Sequence, residues 1–177
     1  MKKVILYIVA SIDQRIAEPN GGTEWLGNFP LCEEMKNDLT AFAASVGTIL
    51  MGGRSWRELS NMDALGAYSD KIIYVVSRQD WGAKENIIFI TKDVIRSIGA
   101  LRNEEPGGDI WLFGGGELTA LLLEAGLVDE MQICYVPVIL GNGIPLFPIQ
   151  PKVSKWMLAE STAYSSGIIK IRYLLDN

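Results

Sequence analysis

The chain has 177 residues, 49% apolar and 21% charged, so it can bury a full core and is too apolar to stay disordered. Lys and Arg number 16 against 21 Asp and Glu, a net charge of -5 that excludes the broad basic footprint of a nucleic-acid binder. Histidine is absent and the cysteines are two, Cys32 and Cys134, which excludes Ser-His-Asp and Cys-His catalysis, histidine-ligated zinc and Cys-rich metal sites.

Residues 3–10 form a short β-branched run with Asp13 and Arg15 close behind, a pattern that predicts a buried strand rather than a secretory leader. Two thiols without a leader point to the reducing cytoplasm, and no stretch approaches the ~20 apolar residues of a membrane span. Residues 11–30 hold Pro19, Gly21, Gly22 and Gly27 and read as one long loop. Met35, Leu39, Phe42 and Val46 recur at helical spacing and predict a helix over 31–46. A strand at 48–51, a short helix at 54–59 and strands at 71–76 and 87–90 follow. Residues 91–103 read as a helix with Thr91 as its N-cap, and Pro106-Gly107-Gly108 breaks the chain. Then come a strand at 109–113, a helix at 117–124, a strand at 129–140 with Pro137 near its end, and a turn-rich stretch at 141–151. Strands at 156–161 and 168–174, joined across Ser165-Ser166-Gly167, form a hairpin. The order predicts one domain over 1–177: an α/β fold with a mostly parallel sheet covered by helices and closed by an antiparallel C-terminal hairpin.

Three strand ends carry groups suited to a phosphate-rich ligand. They are Gly52-Gly53-Arg54-Ser55, Ser77-Arg78, and Phe113-Gly114-Gly115-Gly116-Glu117. In a parallel sheet these ends share one edge, where glycines let a ligand approach the backbone and helix N-termini offer free N–H groups. A guanidinium at Arg54 or Arg78 can grip a phosphate bidentately. None of the three is a GxGxxG or a P-loop. Asp38 lies one turn from Met35 and Phe42, on the face assigned to the interior. A carboxylate there is either paired, seated at the wet edge of that face, or used to hold a proton beside a dry cleft. Trp25, among loop glycines, either anchors the loop or walls an aromatic ligand site.

Several of these segments resemble the dihydrofolate reductase superfamily, and in particular its branch formed by the reductase domain of riboflavin biosynthesis. Ser11-Ile12-Asp13-Gln14-Arg15-Ile16-Ala17 is similar to S-[LI]-D-G-x-I-A, with Gln14 in the place of Gly. Met51-Gly52-Gly53-Arg54-Ser55-Trp56 resembles M-G-R-x-[ST]-[YW], with Gly53 in the place of Arg. Residues 127–147 resemble the riboflavin-reductase pattern L-[IV]-D-E…G-x-G-x-P-L-F, the most branch-specific of the set. The resemblance implies a three-layer α/β/α fold, NADPH as cofactor and hydride transfer to a nitrogen heterocycle or a sugar-derived imine or carbonyl. It implies that Ala10, Ile16 and Ala17 lie near the nicotinamide and that Gly52, Gly53, Arg54 and Ser55 face the phosphates. Ser77 and Arg78 would hold the 2′-phosphate, and Phe113, Gly114, Gly115, Gly116 and Glu117 form the pyrophosphate loop. Trp25 and Asp13 fall on the substrate side. Asp38-Leu39-Thr40-Ala41-Phe42 resembles the D-L-x-x-F of folate reductases, which makes Asp38 the candidate catalytic acid. A homodimer is the expected assembly. The alternatives are a true dihydrofolate reductase and a non-catalytic NADP-binding protein.

Overall fold

Val4–Ser11, β1, is apolar at nearly every position, so neither of its faces can rest in water; it becomes a central strand with its core side chains buried on both faces. In the computed structural model, which describes residues 1–29, 31–82, 84, 86–104, 107–148 and 152–176, β1 pairs in parallel with β6 (Asp109–Gly114) and β7 (Glu130–Val136). On the β6 side the sheet continues, still parallel, through β3 (Val46–Gly52), β4 (Ile72–Val76) and β5 (Ile87–Ile90). On the other side β10 (Ile169–Leu175) runs antiparallel to β7, and β9 (Trp156–Ala163) closes the edge, giving the order β5-β4-β3-β6-β1-β7-β10-β9. Four helices cover this eight-stranded sheet in the three-layer arrangement expected. The side chains of α1 (Glu33–Ser45) and α2 (Gly53–Asn61) join one core, around Tyr7, Phe42 and Trp111. Those of α3 (Val94–Leu101) and α4 (Gly116–Glu124) join the other, around Leu6, Ile98 and Leu122.

Several boundaries differ from the sequence expectation, each for a local reason. The loop at 11–30 contains a short strand, β2 (Arg15–Ala17), paired with β8 (Ile144–Pro145), and a 3-10 helix at Glu24–Asn28. Neither has enough residues to make a periodic pattern. β3 begins two residues before the predicted 48, because β-branched Val46 already pairs with Asp109. Gly47 allows Gly108 to approach: a Cβ there would lie 2.9 Å from the Gly108 nitrogen. Thr91 is not the cap of α3; Asp93 is, in a left-handed conformation (φ 49°) and with no side-chain cap bond. β7 ends at Val136 rather than 140, since Pro137 has no N–H to continue a ladder. A second 3-10 helix at Leu65–Tyr68 was not foreseen. Pro30, Pro106 and residues 149–151, which the sequence assigns to loops, lie outside the described residues. Among the described residues no helix is long and apolar enough to cross a membrane.

Candidate active site

The parallel strands deliver the three predicted groups to one edge. β3 ends at Gly52, the N-cap of α2, and β6 runs through Gly114 to Gly115, the N-cap of α4. Neither cap residue has a side chain, so neither can satisfy the first-turn N–H groups, which stay available to an external anion. The two N-termini stand side by side: a Cβ on Gly52 would lie 3.8 Å from the Gly115 nitrogen, and one on Gly115 would lie 3.7 Å from Ser55 Oγ. The peptide between Gly114 and Gly115 is cis. Ser77, at the end of β4, closes the third side. A Cβ on Gly53 would sit 3.2 Å from both Cβ and Oγ of Ser77, so glycine there keeps the α2 turn in contact with β4. Arg54 and Arg78 are exposed, and among the described residues neither makes a salt bridge. The Arg54 stem reaches the loop after β2, where a Cβ on Gly21 would meet Arg54 Cδ at 3.3 Å. Glu117 is exposed in the first turn of α4. The Phe113 ring packs instead on the α1/α2 face, 5.1 Å from the Trp111 ring.

The residues that the sequence reading assigns to the nicotinamide side lie around the end of β1 and on β2. Ala10 and Ala17 are buried and Ile16 packs against the α3/α4 core. Gln14, standing where the resembling family has glycine, sits at φ 59°, so a left-handed turn is required there and this side chain accepts it. Asp13 ties the turn to the segment before β8. Its carboxylate accepts from Ser11 Oγ (2.6 Å) and from the backbone N–H groups of Leu140 (3.1 Å) and Gly141 (2.8 Å). The Ser11 hydroxyl, followed by those two amides, holds the acid below the usual aspartate range despite some loss of solvent. These bonds hold the β1–β2 turn to the segment after β7.

Across β1, on the α1 face, Trp25 is buried against the core, and its Nε1 finds no partner among the described residues. Asp38 is half-buried and paired. Its Oδ2 accepts from Tyr164 Oη (2.8 Å) and from Lys170 Nζ in a short contact. Lys170 is only 7% exposed at its side chain, so Asp38 is its counter-charge. The same face carries Tyr7 and Cys134, whose Sγ lies 3.6 Å from the Tyr7 hydroxyl. Burial pushes the Cys134 thiol up to about 11 and raises the Tyr7 and Tyr164 phenols, Tyr164 also because it donates to Asp38. These groups are proton-bearing at neutral pH. Below them Arg172 grips buried Glu130 through Nε (2.6 Å) and Nη2 (3.0 Å), and Gln132 donates to the same carboxylate. A cleft of about 200 Å³ between α1 and the hairpin is bordered by Asp38, Phe42, Gln132, Glu160, Lys170 and Arg172.

Lys170 and Tyr164 were not identified from sequence. The alternation Ile169-Lys170-Ile171-Arg172 shows that Lys170 projects from one face of a strand, but only the pairing of Lys170 with Cys134 on β7 turns that face toward α1. The chain therefore brings together an edge of glycine-capped helix N-termini and exposed arginines and, across β1, a carboxylate–ammonium–phenol cluster beside aromatic side chains. Among the described residues no cluster has the makings of a metal site.

Residues 2–170 match the RibD C-terminal domain. The chain is 33% identical over 147 residues to the uncharacterized protein YwjB of Bacillus subtilis, covering 82% of this chain and 83% of that one. Its fold superposes on a Shewanella sp. PV-4 protein provisionally named for riboflavin biosynthesis, with a TM-score of 0.83 at 23% identity and full coverage of both chains. It also superposes, with a TM-score of 0.73 at 12% identity, on the diaminohydroxyphosphoribosylaminopyrimidine deaminase/5-amino-6-(5-phosphoribosylamino)uracil reductase of Thermotoga maritima, covering 99% of this chain and 57% of that larger protein. The glycine turns at the parallel strand ends, the clasped β1–β2 turn and this match over nearly the whole chain lead to one conclusion: the protein belongs to the RibD C-terminal domain family.

Proposed function

We propose that the protein is an NADPH-dependent reductase that transfers a hydride to a small heterocyclic or sugar-derived substrate, of the type exemplified by 5-amino-6-(5-phosphoribosylamino)uracil reductases. The observation that carries this reading is the juxtaposition of two glycine-capped helix N-termini with two exposed arginines on one sheet edge. The fit is specific in shape. Gly52, Gly53 and Gly115 leave the backbone bare where a diphosphate has to approach, and a Cβ on Gly53 would press on Ser77. In this reading Ser77 and Arg78 bind the ribose 2′-phosphate, and Arg54 and the N–H groups of α2 and α4 bind the diphosphate. NADPH bound there supplies the hydride.

The remaining groups act on the substrate side. Asp13 holds the β1–β2 turn closed over the reacting ring, and Trp25 excludes water from that face. Asp38 orients polar substrate atoms through Lys170 and Tyr164. The pairing of Asp38 weighs against a folate reductase, because a pterin held by both carboxylate oxygens has to compete with Tyr164 and Lys170 for Oδ2. The exposed apolar residues Met157, Leu158 and Ile169 on the outer hairpin support a homodimer through this edge. The test is a titration of the purified protein with NADPH and with NADH, following tryptophan quenching. Preference for NADPH, reduced at least about tenfold by Arg78→Ala, is the expected result. Binding of neither nucleotide overturns the reading.

A further inference from the structure

The loop that follows β4 holds more than Ser77 and Arg78. Two side-chain-capped turns stiffen it: Gln79 N–H donates to Ser77 Oγ (3.2 Å), and Gly82 N–H donates to Asp80 Oδ1 (2.9 Å). Gly82 takes the left-handed conformation (φ 85°) that ends the second turn. Between these caps stands Trp81, 54% exposed, an unusual position for the largest apolar side chain on so short a loop. It is not loose. Its ring lies 6.1 Å from that of Trp56, at 37° to it, and Trp56 is braced edge-on by Phe89 at 5.2 Å. Trp56 is the residue after Ser55 in the first turn of α2, so the braced indole pair spans from the anion-binding turn of α2 to the loop of Arg78.

A rigid, half-exposed indole three residues beyond Arg78, beside a helix N-terminus that takes phosphate, is suited to stack on a flat base attached to a phosphorylated ribose. We infer that Trp81 is the platform for the purine base of the nucleotide, its exposed face covering one side of the ring while Trp56 packs obliquely against the indole. This rests on the reading of the glycine edge as a nucleotide site. It also adds a sequence-tolerant contact to the charge-based one, because stacking depends on the π-face and not on the ribose phosphate.

The test uses the full chain and adenosine 2′,5′-bisphosphate, a probe that carries the base and ribose phosphates without nicotinamide. Isothermal titration is run on the wild type, Trp81→Ala and Trp81→Phe, with thermal midpoints measured in parallel. Trp81→Ala is expected to weaken the bisphosphate about tenfold, Trp81→Phe to restore most of the loss, and neither to move the midpoint. A Trp81→Ala protein that binds the bisphosphate like the wild type, in a chain that binds NADPH, overturns the platform and leaves the nucleotide site standing. A wild type that binds neither NADPH nor the bisphosphate overturns both. Loss of binding with a lowered midpoint, not rescued by Phe, assigns Trp81 to holding the loop and also overturns the proposal.

Discussion

At the ends of β3 and β6 the protein leaves its backbone bare, whereas beside α1 the charged residues of β7 and β10 are answered in pairs. In the first region α2 and α4 start on glycine caps, and Arg54 and Arg78 face solvent with no carboxylate partner among the described residues. In the second, Lys170 is matched by Asp38 and Arg172 by Glu130, with Tyr164 and Gln132 taking up further lone pairs. The difference separates two uses of charge. In the proposed reading, a positive edge unanswered among the described residues takes its partner from a ligand, so its removal is expected to cost binding and spare stability. A buried ion pair belongs to the fold, and deleting one half strands the other in a poor solvent.

The strongest way to break this contrast is at Asp38. Asp38→Asn leaves nearly buried Lys170 without a counter-charge and is expected to destabilise the protein by about 2 to 3 kcal/mol in urea unfolding. NADPH affinity should stay within about twofold, because the glycine edge is untouched. Adding Lys170→Met should recover part of the loss, a recovery that only a lost pairing explains. If Asp38→Asn unfolds at the wild-type urea concentration, the pair contributes nothing and the contrast fails.

Glu130 sharpens it through pH. Burial raises the acid, but the hydrogen bonds from Arg172 and Gln132 outweigh burial and hold it below the usual glutamate range. A depressed carboxylate contributes stability that is fully present above the unfolded-state value, about 4.3, and is lost as pH falls through the folded-state value. Glu130→Gln is therefore expected to cost about 2 kcal/mol at neutral pH and progressively less below about pH 4. Unfolding midpoints across pH check this, and a constant difference down to about pH 2.5 counts against it.

The smallest stability effect is expected on the open side. Replacing both Arg54 and Arg78 by alanine should change unfolding free energy by no more than about 0.5 kcal/mol, since both are exposed and neither has an ionic partner among the described residues. A large destabilisation by that double variant means the open edge is built into the fold after all.

Much of the open region was legible in the sequence because glycine reports backbone geometry directly. Gly52-Gly53 and Gly114-Gly115-Gly116 each mark a strand passing into a helix, and parallel topology alone aligns such turns on one edge. Gln14 stood out only as a departure from glycine in the resembling family; its left-handed backbone is a finding of the structure. The closed region was not. Asp38 stood out as a charge on an apolar helix face, but its partners are 126 and 132 residues later. No periodicity relates positions so far apart; the contact exists only because β10 folds back against β7. The same limit explains Asp13, whose bonds to Leu140 and Gly141 depend on where β7 ends.

The place of β1 in the sheet has a consequence for the chain as it is made. Its ladder partners are Ile110 to Leu112 on one side and Glu130 to Val136 on the other, so more than half of the chain must emerge from the ribosome before the most apolar segment finds either neighbour. During that interval VILYIVAS remains an unpaired, aggregation-prone strand. Synthesis thus creates a need for a chaperone in the interval between the emergence of β1 and that of β6. Slow codons after residue 136, where β7 is complete but the hairpin is not, should be better tolerated than pauses between β1 and β6.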